Sequence, residues 1–548
     1  NEGEDAALYR AVSACSDFAC ALGINIPTGK DSLSMTQKYG DEKVMAPGTV
    51  IISAGAPVRD IRRTVSPVAI SRKGSKFYYI DFSGQEFRLG GSALYQSLCA
   101  VGDDVPSVES PERFAAAFSL IQSCVRSRML LALHDVSAGG MATALLEMCF
   151  PNTKGGLDIV IPDDMMHRAG NDFVRLLFAE NSAVIVQIDG RNSDRLEAML
   201  QNAGVNGWCI GTTSDQRAVT VSAPGKPSVS LPVDDLRDVW YLPSYRLDCL
   251  QSGEQCATLR FDNYKKQPLR FNLGKDFDGT LASRGLSFDR PATTGIRAAI
   301  IREKGVNGDR EMAYSLFLAG FDVKDVHMSD LMSGRETLDD VNLIVFCGGF
   351  SHSDVLGSAK GWASGFKWND TARETLRRYY EREDTLSLGI CNGCQLMMEL
   401  GLVVPAPAEG KPRARMEHNI SHKFESNYVN VVIPQNNSVM FGSLSGRRLG
   451  IWVAHGEGRF ELPGSLSSYN IVTKYAYNAY PANPNGSRGA VAGLCSDNGR
   501  HLCMMPHLER AIFPWQCANY PRAHRNDEVT PWLDAFVNAR LWVEAHTK

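Results

Sequence analysis

The stretch Leu388-Gly389-Ile390-Cys391-Asn392-Gly393-Cys394-Gln395 most constrains what this chain can fold into. An apolar run, 386–390, leads into a cysteine set between two glycines, and a helix-like run, 395–402, follows. Strand, abrupt turn and helix make a nucleophile elbow, in which small flanking residues let the backbone bend and push one side chain outward. The helix then aims its first N–H groups and its dipole at the sulfur, favouring the thiolate, which is the nucleophilic form. Cys391 is therefore a candidate for covalent catalysis. Two blander readings stand beside it. A C-x-x-C between strand and helix is also how a thioredoxin-like redox pair is presented. It is equally half of a zinc site, although no second C-x-x-C occurs in the chain.

Two further motifs bear on the choice. Cys347-Gly348-Gly349-Phe350 follows the apolar run 342–346, and paired glycines at a strand end let N–H groups point at a developing oxyanion. His507-Leu508-Glu509 follows the apolar run 502–506; in an extended H-x-E the carboxylate can lie beside the imidazole and orient it. Taken singly, the first is an ordinary tight turn and the second a surface His beside a Glu.

The rest of the chain sets the context. Its 548 residues predict about two to four domains with ample core. A net charge of −4, evenly mixed, carries no electrostatic footprint for nucleic acid or an anionic membrane. No apolar run reaches membrane-span length, and Asn1-Glu2-Gly3-Glu4-Asp5 is acidic rather than signal-like. The fourteen cysteines, most of them inside apolar runs, read as reduced core residues, so the expected compartment is cytoplasmic. The chain opens without Met in a helix-like segment, 5–22, and reads as a fragment lacking an N-terminal portion.

Residues 1–72 predict that helix, a glycine-containing turn (Ile26-Pro27-Thr28-Gly29-Lys30-Asp31-Ser32) and a strand at 49–54. Over 73–245, strand-like runs (77–82, 129–133, 157–161, 184–188) alternate with helix-like ones (142–149, 193–202). Residues 246–291 lose periodicity and read as a connector. From Gly295 the alternation of strands 298–302, 322–326, 342–346 and 386–390 with helix 310–318 implies a parallel α/β sheet with sites at the strand carboxyl ends.

Gly-Gly, Cys and His-x-Glu in that order on one α/β domain resemble the class I (triad) glutamine amidotransferases. Longer motifs narrow the resemblance: Gly348-Gly349-Phe350-Ser351, Asp354-Val355-Leu356-Gly357, Ala454-His455-Gly456-Glu457-Gly458-Arg459, Tyr480-Pro481-Ala482-Asn483-Pro484-Asn485-Gly486-Ser487 and Met505-Pro506-His507-Leu508-Glu509-Arg510. Across essentially the whole chain they are similar to the large, single-chain formylglycinamide ribonucleotide amidotransferases of purine biosynthesis. That resemblance implies a multidomain α/β chain in four parts. Residues 1–72 would end an N-terminal-type synthetase subdomain and 73–245 form a C-terminal-type one, both of the aminoimidazole ribonucleotide synthetase fold. Residues 246–291 would connect them to a flavodoxin-like glutamine amidotransferase domain, 292–548.

The resemblance also implies roles. Cys391 would attack the amide of glutamine, His507 would protonate the departing ammonia and later activate water, and Glu509 would orient His507. Gly348, Gly349, Phe350, Asn392 and Gln395 would bind the oxyanion and glutamine. The synthetase half would use ATP and Mg2+ to activate formylglycinamide ribonucleotide, with Gly29, Lys30, Ser32 and Ser137 at nucleotide or substrate, Asp135 on the metal, and the absent N-terminal portion completing the site. Some positions depart from the family pattern. His352 and Ser353 stand where Tyr and Gly or Ala are usual, Leu508 replaces Pro, and Ala138 replaces a frequent Asp. His455 is expected to support the fold, and Ser137 to cap the helix that follows it.

Overall fold

Strand Ser75–Asp81 shows how this sequence makes its first sheet, because apolar side chains occupy both of its faces. Phe77 and Tyr79 enter one hydrophobic cluster, while Tyr78 and Ile80 enter another. A strand's side chains alternate between faces, so an unbroken apolar run implies a sheet covered on both sides. The computed structural model describes residues 3–30, 35–46, 48–290 and 293–547. The chain divides into two units, Asn1–Leu242 and Pro243–Lys548.

The first unit holds a seven-stranded sheet in the order Leu130–Val136, Ala183–Asp189, Ser75–Asp81, Gly207–Ser214, Gly156–Val160, Ala218–Ser222, Val229–Pro232. Its neighbours pair antiparallel except Gly156–Val160 with Ala218–Ser222. One face is covered by helix Gly140–Cys149 through Met141, Leu145 and Met148, the other by helices Pro111–Arg126 and Ser193–Ala203 through Leu120, Ile121, Leu196 and Leu200.

The early residues behave differently. Helix Glu4–Leu22 has no buried residue, and the hairpin Thr36–Tyr39 with Glu42–Met45 is exposed throughout. The strand expected at 49–54 does not form: the segment is irregular and Ile51 is 85% exposed. β-propensity alone does not make a strand, which needs a neighbour's N–H and C=O groups and an apolar face to cover.

The second unit carries a nine-stranded sheet in the order Asp322–His327, Arg297–Arg302, Leu343–Phe346, Leu386–Ile390, His501–Met504, Val491–Cys495, Asn470–Tyr475, Glu425–Val432, Arg448–His455. The first five are mutually parallel, as the alternation from Gly295 implies. The last four add antiparallel pairings that the sequence reading had not resolved. Their polar interruptions, such as Asn427 and Asn430, blur the period-two pattern. Strands Leu343–Phe346 and Leu386–Ile390 are buried at every residue, which explains their continuous apolar runs.

The aperiodic segment 246–291 is more than a tether. It contains helix Glu254–Asn263, whose Cys256 and Ala257 are buried. Leu273, Phe277 and Leu281 enter the second unit's core, and Asn272 pairs with Arg448 through two backbone hydrogen bonds. Single residues of irregular chain can fill a core without any periodicity, so a pattern search passes over them.

Candidate active site

Strand Leu386–Ile390 ends at Cys391, and helix Asn392–Leu400 starts one residue later. The bend falls on the cysteine itself, at φ 51° and ψ −106°. A non-glycine residue at positive φ is strained and is held there by its surroundings. Gly389 and Gly393 do not supply the turn, contrary to the expectation from sequence; they supply close approach. A side chain on Gly389 would sit 2.5 Å from Met397 Sδ, and one on Gly393 would sit 2.6 Å from the Phe346 carbonyl carbon. The Cys391 N–H donates to Met504 O at 2.9 Å, and its thiol points at Ala454 O, 3.5 Å away. Cys394 is sealed in the core, where burial pushes its thiol well above the ordinary range, with Cys503 beside it. A thiol so placed is inert, which removes the redox-pair reading.

His507 is brought to Cys391 by long-range pairing. Its N–H donates to Trp452 O at 2.9 Å, and its Nδ1 lies 2.7 Å from Glu509 Oε1. The spacing comes from an extended His507 followed by the turn Leu508–Arg510, not from a continuing strand. Gly348 fits between thiol and imidazole: a side chain there would lie 2.8 Å from His507 Cε1 and 3.3 Å from Cys391 Cβ. Both His507 and Glu509 are buried, and His507 Nε2 has no protein partner. Burial alone would lower the imidazole's pKa, but the Glu509 carboxylate and Cys391 outweigh it and hold His507 up at about 9. A cationic imidazole beside the thiol favours the ion pair needed for nucleophilic attack.

The other residues expected at this site fare unequally. Gly348 is buried and adjoins the reacting pair. Gly349, at φ 143°, packs so closely on the backbone that a side chain would meet Gly305 O at 2.7 Å. The Phe350 N–H already donates to Gly305 O at 2.9 Å, so it is not available to an oxyanion. The side chains of Asn392 and Gln395 are committed within the protein. Asn392 accepts from Ser351 N and donates to Gln395 Oε1, and Gln395 Nε2 donates to Glu457 O. Both amides hold segments together in this arrangement rather than standing open to a ligand.

His352 turns away toward Glu303, 3.4 Å from its Nε2. His455 is buried with Nδ1 3.1 Å from Asn419 Oδ1, and burial pulls its imidazole down to about 3, with His507 adding to the effect. It is a neutral, bonded residue, in keeping with a supporting role. The carbonyls of Trp452 and Ala454 and the carboxylates of Asp354 and Glu457 had no assigned part in the sequence reading. The only signal for Ala454, Asp354 and Glu457 was membership of the long motifs around them, and Trp452 had none.

In the first unit, Gly29 and Lys30 lie in exposed, irregular chain, and Ser32 lies outside the described residues. Asp135 ends strand Leu130–Val136 with its side chain 74% exposed, and Ser137 is also exposed. Ser137 does not cap the following helix: the N-cap is Gly139 at φ 85°, with no side-chain cap bond. A side chain at Gly139 would sit 2.8 Å from Thr143 Cβ. The Gly139 N–H donates to Glu180 Oε1 at 2.9 Å, and Ala93 N–H donates to the same oxygen at 2.7 Å. That N–H is therefore not free to cradle a phosphate, although the start of a helix is where one would bind. Among the described residues no cluster of three or more His, Cys, Asp or Glu is placed to hold a metal ion.

The parallel α/β sheet, the strained cysteine elbow and the buried His–Glu pair lie within a stretch that matches a glutamine amidotransferase family. Residues 295–543 match the family described as CobB/CobQ-like glutamine amidotransferase domain. Residues 1–57 match the FGAR-AT PurM_N-like domain, and 84–223 match the C-terminal domain of AIR synthase related protein. The chain is a relative of phosphoribosylformylglycinamidine synthase: it is 38% identical to the human protein of that name over 98% of its own length, spanning 42% of the human chain. It is 36% identical to the probable chloroplastic/mitochondrial phosphoribosylformylglycinamidine synthase of Arabidopsis thaliana, over 99% of this chain and 39% of that one. The solved PurLQS structure from Thermotoga maritima is 24% identical, with a TM-score of 0.34, covering 46% of this chain and 99% of the other. The chain thus spans less than half the length of the curated relatives it matches.

Proposed function

We propose that the second unit hydrolyses glutamine through Cys391, His507 and Glu509. The Cys391 thiolate attacks the side-chain amide carbon, and the oxyanion that develops takes hydrogen bonds from the N–H groups of Gly349 and Asn392. His507 gives its proton to the amide nitrogen, the C–N bond breaks, and ammonia leaves a glutamyl thioester on Cys391. His507, now neutral, takes a proton from water; the hydroxide equivalent attacks the thioester, releasing glutamate and restoring the thiolate–imidazolium pair. Glu509 holds His507 in the required tautomer and stabilises its cation. The observation that carries this reading is the buried 2.7 Å His507–Glu509 bond placed against Cys391.

The wider reading follows the relatives' printed name. Ammonia made here would serve an ATP-dependent conversion of formylglycinamide ribonucleotide to the amidine in purine biosynthesis, with the first unit contributing part of the synthetase site and the remainder of a longer polypeptide completing it. Gly29, Lys30, Ser32 and Ser137 are assigned to nucleotide or substrate. Among the described residues the donors near the proposed Mg2+ position are few. Asp135 is one exposed carboxylate, Ala138 offers no ligand, and Glu147 is engaged with His134 and Trp240. Mg2+ is usually held by one or two carboxylates together with waters and phosphate oxygens, so Asp135 would be one ligand, with the nucleotide and the remainder of the longer polypeptide supplying others; no step is assigned to it. No helix among the described residues is long and apolar enough to cross a membrane. The cytoplasmic setting is proposed from the fourteen cysteines, which read as reduced core residues.

The test is to incubate the chain with glutamine, measure glutamate release, and map the site modified by 6-diazo-5-oxo-L-norleucine. Glutamate formation with labelling confined to Cys391 is expected. Release of glutamate from a Cys391→Ala protein would sink the assignment.

A further inference from the structure

Asn392, the residue after the nucleophile, is fully buried and sits in a closed ring of hydrogen bonds. Its Nδ2 donates to Asp354 Oδ1 at 3.3 Å and to Gln395 Oε1 at 3.0 Å. Gln395 Nε2 donates to Glu457 O at 2.8 Å, and Glu457 Oε2 accepts from Ser358 N at 3.3 Å. The Ser358 hydroxyl donates to Asp354 Oδ2 at 3.3 Å and closes the circuit. Three separate segments meet in it: the elbow helix, the loop after Gly349, and the turn after strand Arg448–His455.

The loop in this ring is strained. His352, Ser353 and Asp354 stand consecutively at φ 52°, 55° and 50°, in the left-handed region that non-glycine residues rarely occupy even singly. Such a run persists only when its surroundings over-determine it. Outside, the Phe350 and His352 N–H groups are held by Gly305 O and Lys304 O, each at 2.9 Å. Inside, Asn392 Oδ1 accepts the Ser351 N–H at 3.1 Å while its Nδ2 meets Asp354. Burial raises the Asp354 carboxyl above its ordinary range, although its hydrogen bonds oppose this, and Glu457 adds to the rise. An acid kept in such a place, at the end of a strained turn, has a local job.

We infer that Asp354 is a positioning residue: by anchoring the Asn392 side chain to the strained turn it fixes the Asn392 N–H, the donor next to Cys391. The inference rests on the glutaminase reading above. Oxyanion donors act over a narrow range of distances, so a loosened Asn392 lowers the rate of the chemical step more than it lowers glutamine binding.

The experiment compares the full chain with Asp354→Asn and Asp354→Gly. Both replacements suit a positive φ, so neither adds backbone strain, but only Asn keeps an acceptor for Asn392. Asp354→Gly should lower kcat for glutamine hydrolysis by about tenfold or more and change KM by less than about threefold, with Asp354→Asn restored to within about threefold of the parent. Alkylation of Cys391 by iodoacetamide, which needs the thiolate but no oxyanion donor, should stay within about threefold in both. Parental kcat in Asp354→Gly, equal losses in the two variants, or a parallel loss of iodoacetamide reactivity would overturn the role. Amide hydrogen exchange of the peptide 388–396 gives a readout independent of glutamine, and it should rise in Asp354→Gly and not in Asp354→Asn. Identical exchange in all three overturns the inference even if the parent proves inactive toward glutamine. That inactivity, with exchange behaving as expected, would instead overturn the glutaminase reading.

Discussion

Gly348 lies against both His507 and Cys391, its missing side chain leaving room for the imidazole to approach the sulfur. Any β-carbon at 348 would stand 2.8 Å from His507 Cε1, inside contact distance. Gly348→Ala should therefore fold while driving imidazole and thiol apart. Glutamine hydrolysis should fall by about 100-fold or more, with the thermal midpoint lowered by less than about 4 °C. Steady-state kinetics beside a melting curve checks both halves, and an active Gly348→Ala enzyme would contradict the placement.

The two cysteines of the C-x-x-C should separate cleanly. Cys391→Ala should lose glutamine hydrolysis and labelling altogether, because no other group can form the thioester. Cys394→Ala removes one buried sulfur and should cost about 1–2 kcal/mol of stability, with activity reduced by less than about fivefold. Urea unfolding and a glutamate assay on both proteins decide it, and the reverse order of damage would show that the nucleophile has been misassigned.

Glu509→Gln should keep the local shape while withdrawing the charge that supports the imidazolium, lowering kcat by about 100-fold or more. It should also change the pH dependence of stability. His507 is raised to about 9 from an ordinary 6.5, so its contribution is fully present below pH 6.5 and is lost as pH rises through about 9. Urea midpoints between pH 6 and 10 should show that decline in the parent, and a smaller one in Glu509→Gln. Parallel profiles would mean that Glu509 does not hold the cation.

In the first unit, Glu180 rather than Asp135 should matter for folding. Glu180 receives the N–H groups of Ala93 and Gly139, whereas the Asp135 side chain is 74% exposed. Glu180→Ala should destabilise the protein by about 1–3 kcal/mol, and Asp135→Ala should stay within about 0.5 kcal/mol of the parent. Denaturant titration is sufficient. A larger effect from Asp135→Ala would point to a structural partner for that carboxylate.

Much of the site was legible before any coordinates because elbow and triad are carried by local patterns. The apolar runs 343–346 and 386–390 are buried strands, and Cys391 follows the second one directly. His507-x-Glu509 needs only a short turn to bring its two side chains together. Other features were unreadable because they depend on partners far along the chain. The Phe350 N–H looked available until Gly305 O was found opposite it. The strand expected at 49–54 failed for the converse reason, that its apolar pattern stays exposed and outside any sheet.

By itself, then, the sequence determined which residues are candidates for the chemistry, because side-chain type and short spacing single out Cys391, His507 and Glu509 for the roles proposed here. Tertiary structure decided how each is held. It put the strain of the elbow on Cys391 rather than on its glycines, gave Gly389 and Gly393 the task of close packing, and took the amides of Asn392 and Gln395 into a ring. The physical reason is that a backbone N–H or a side-chain amide has few hydrogen bonds to make. Whether they go to a ligand or to the protein is set by whichever group the fold brings within about 3 Å.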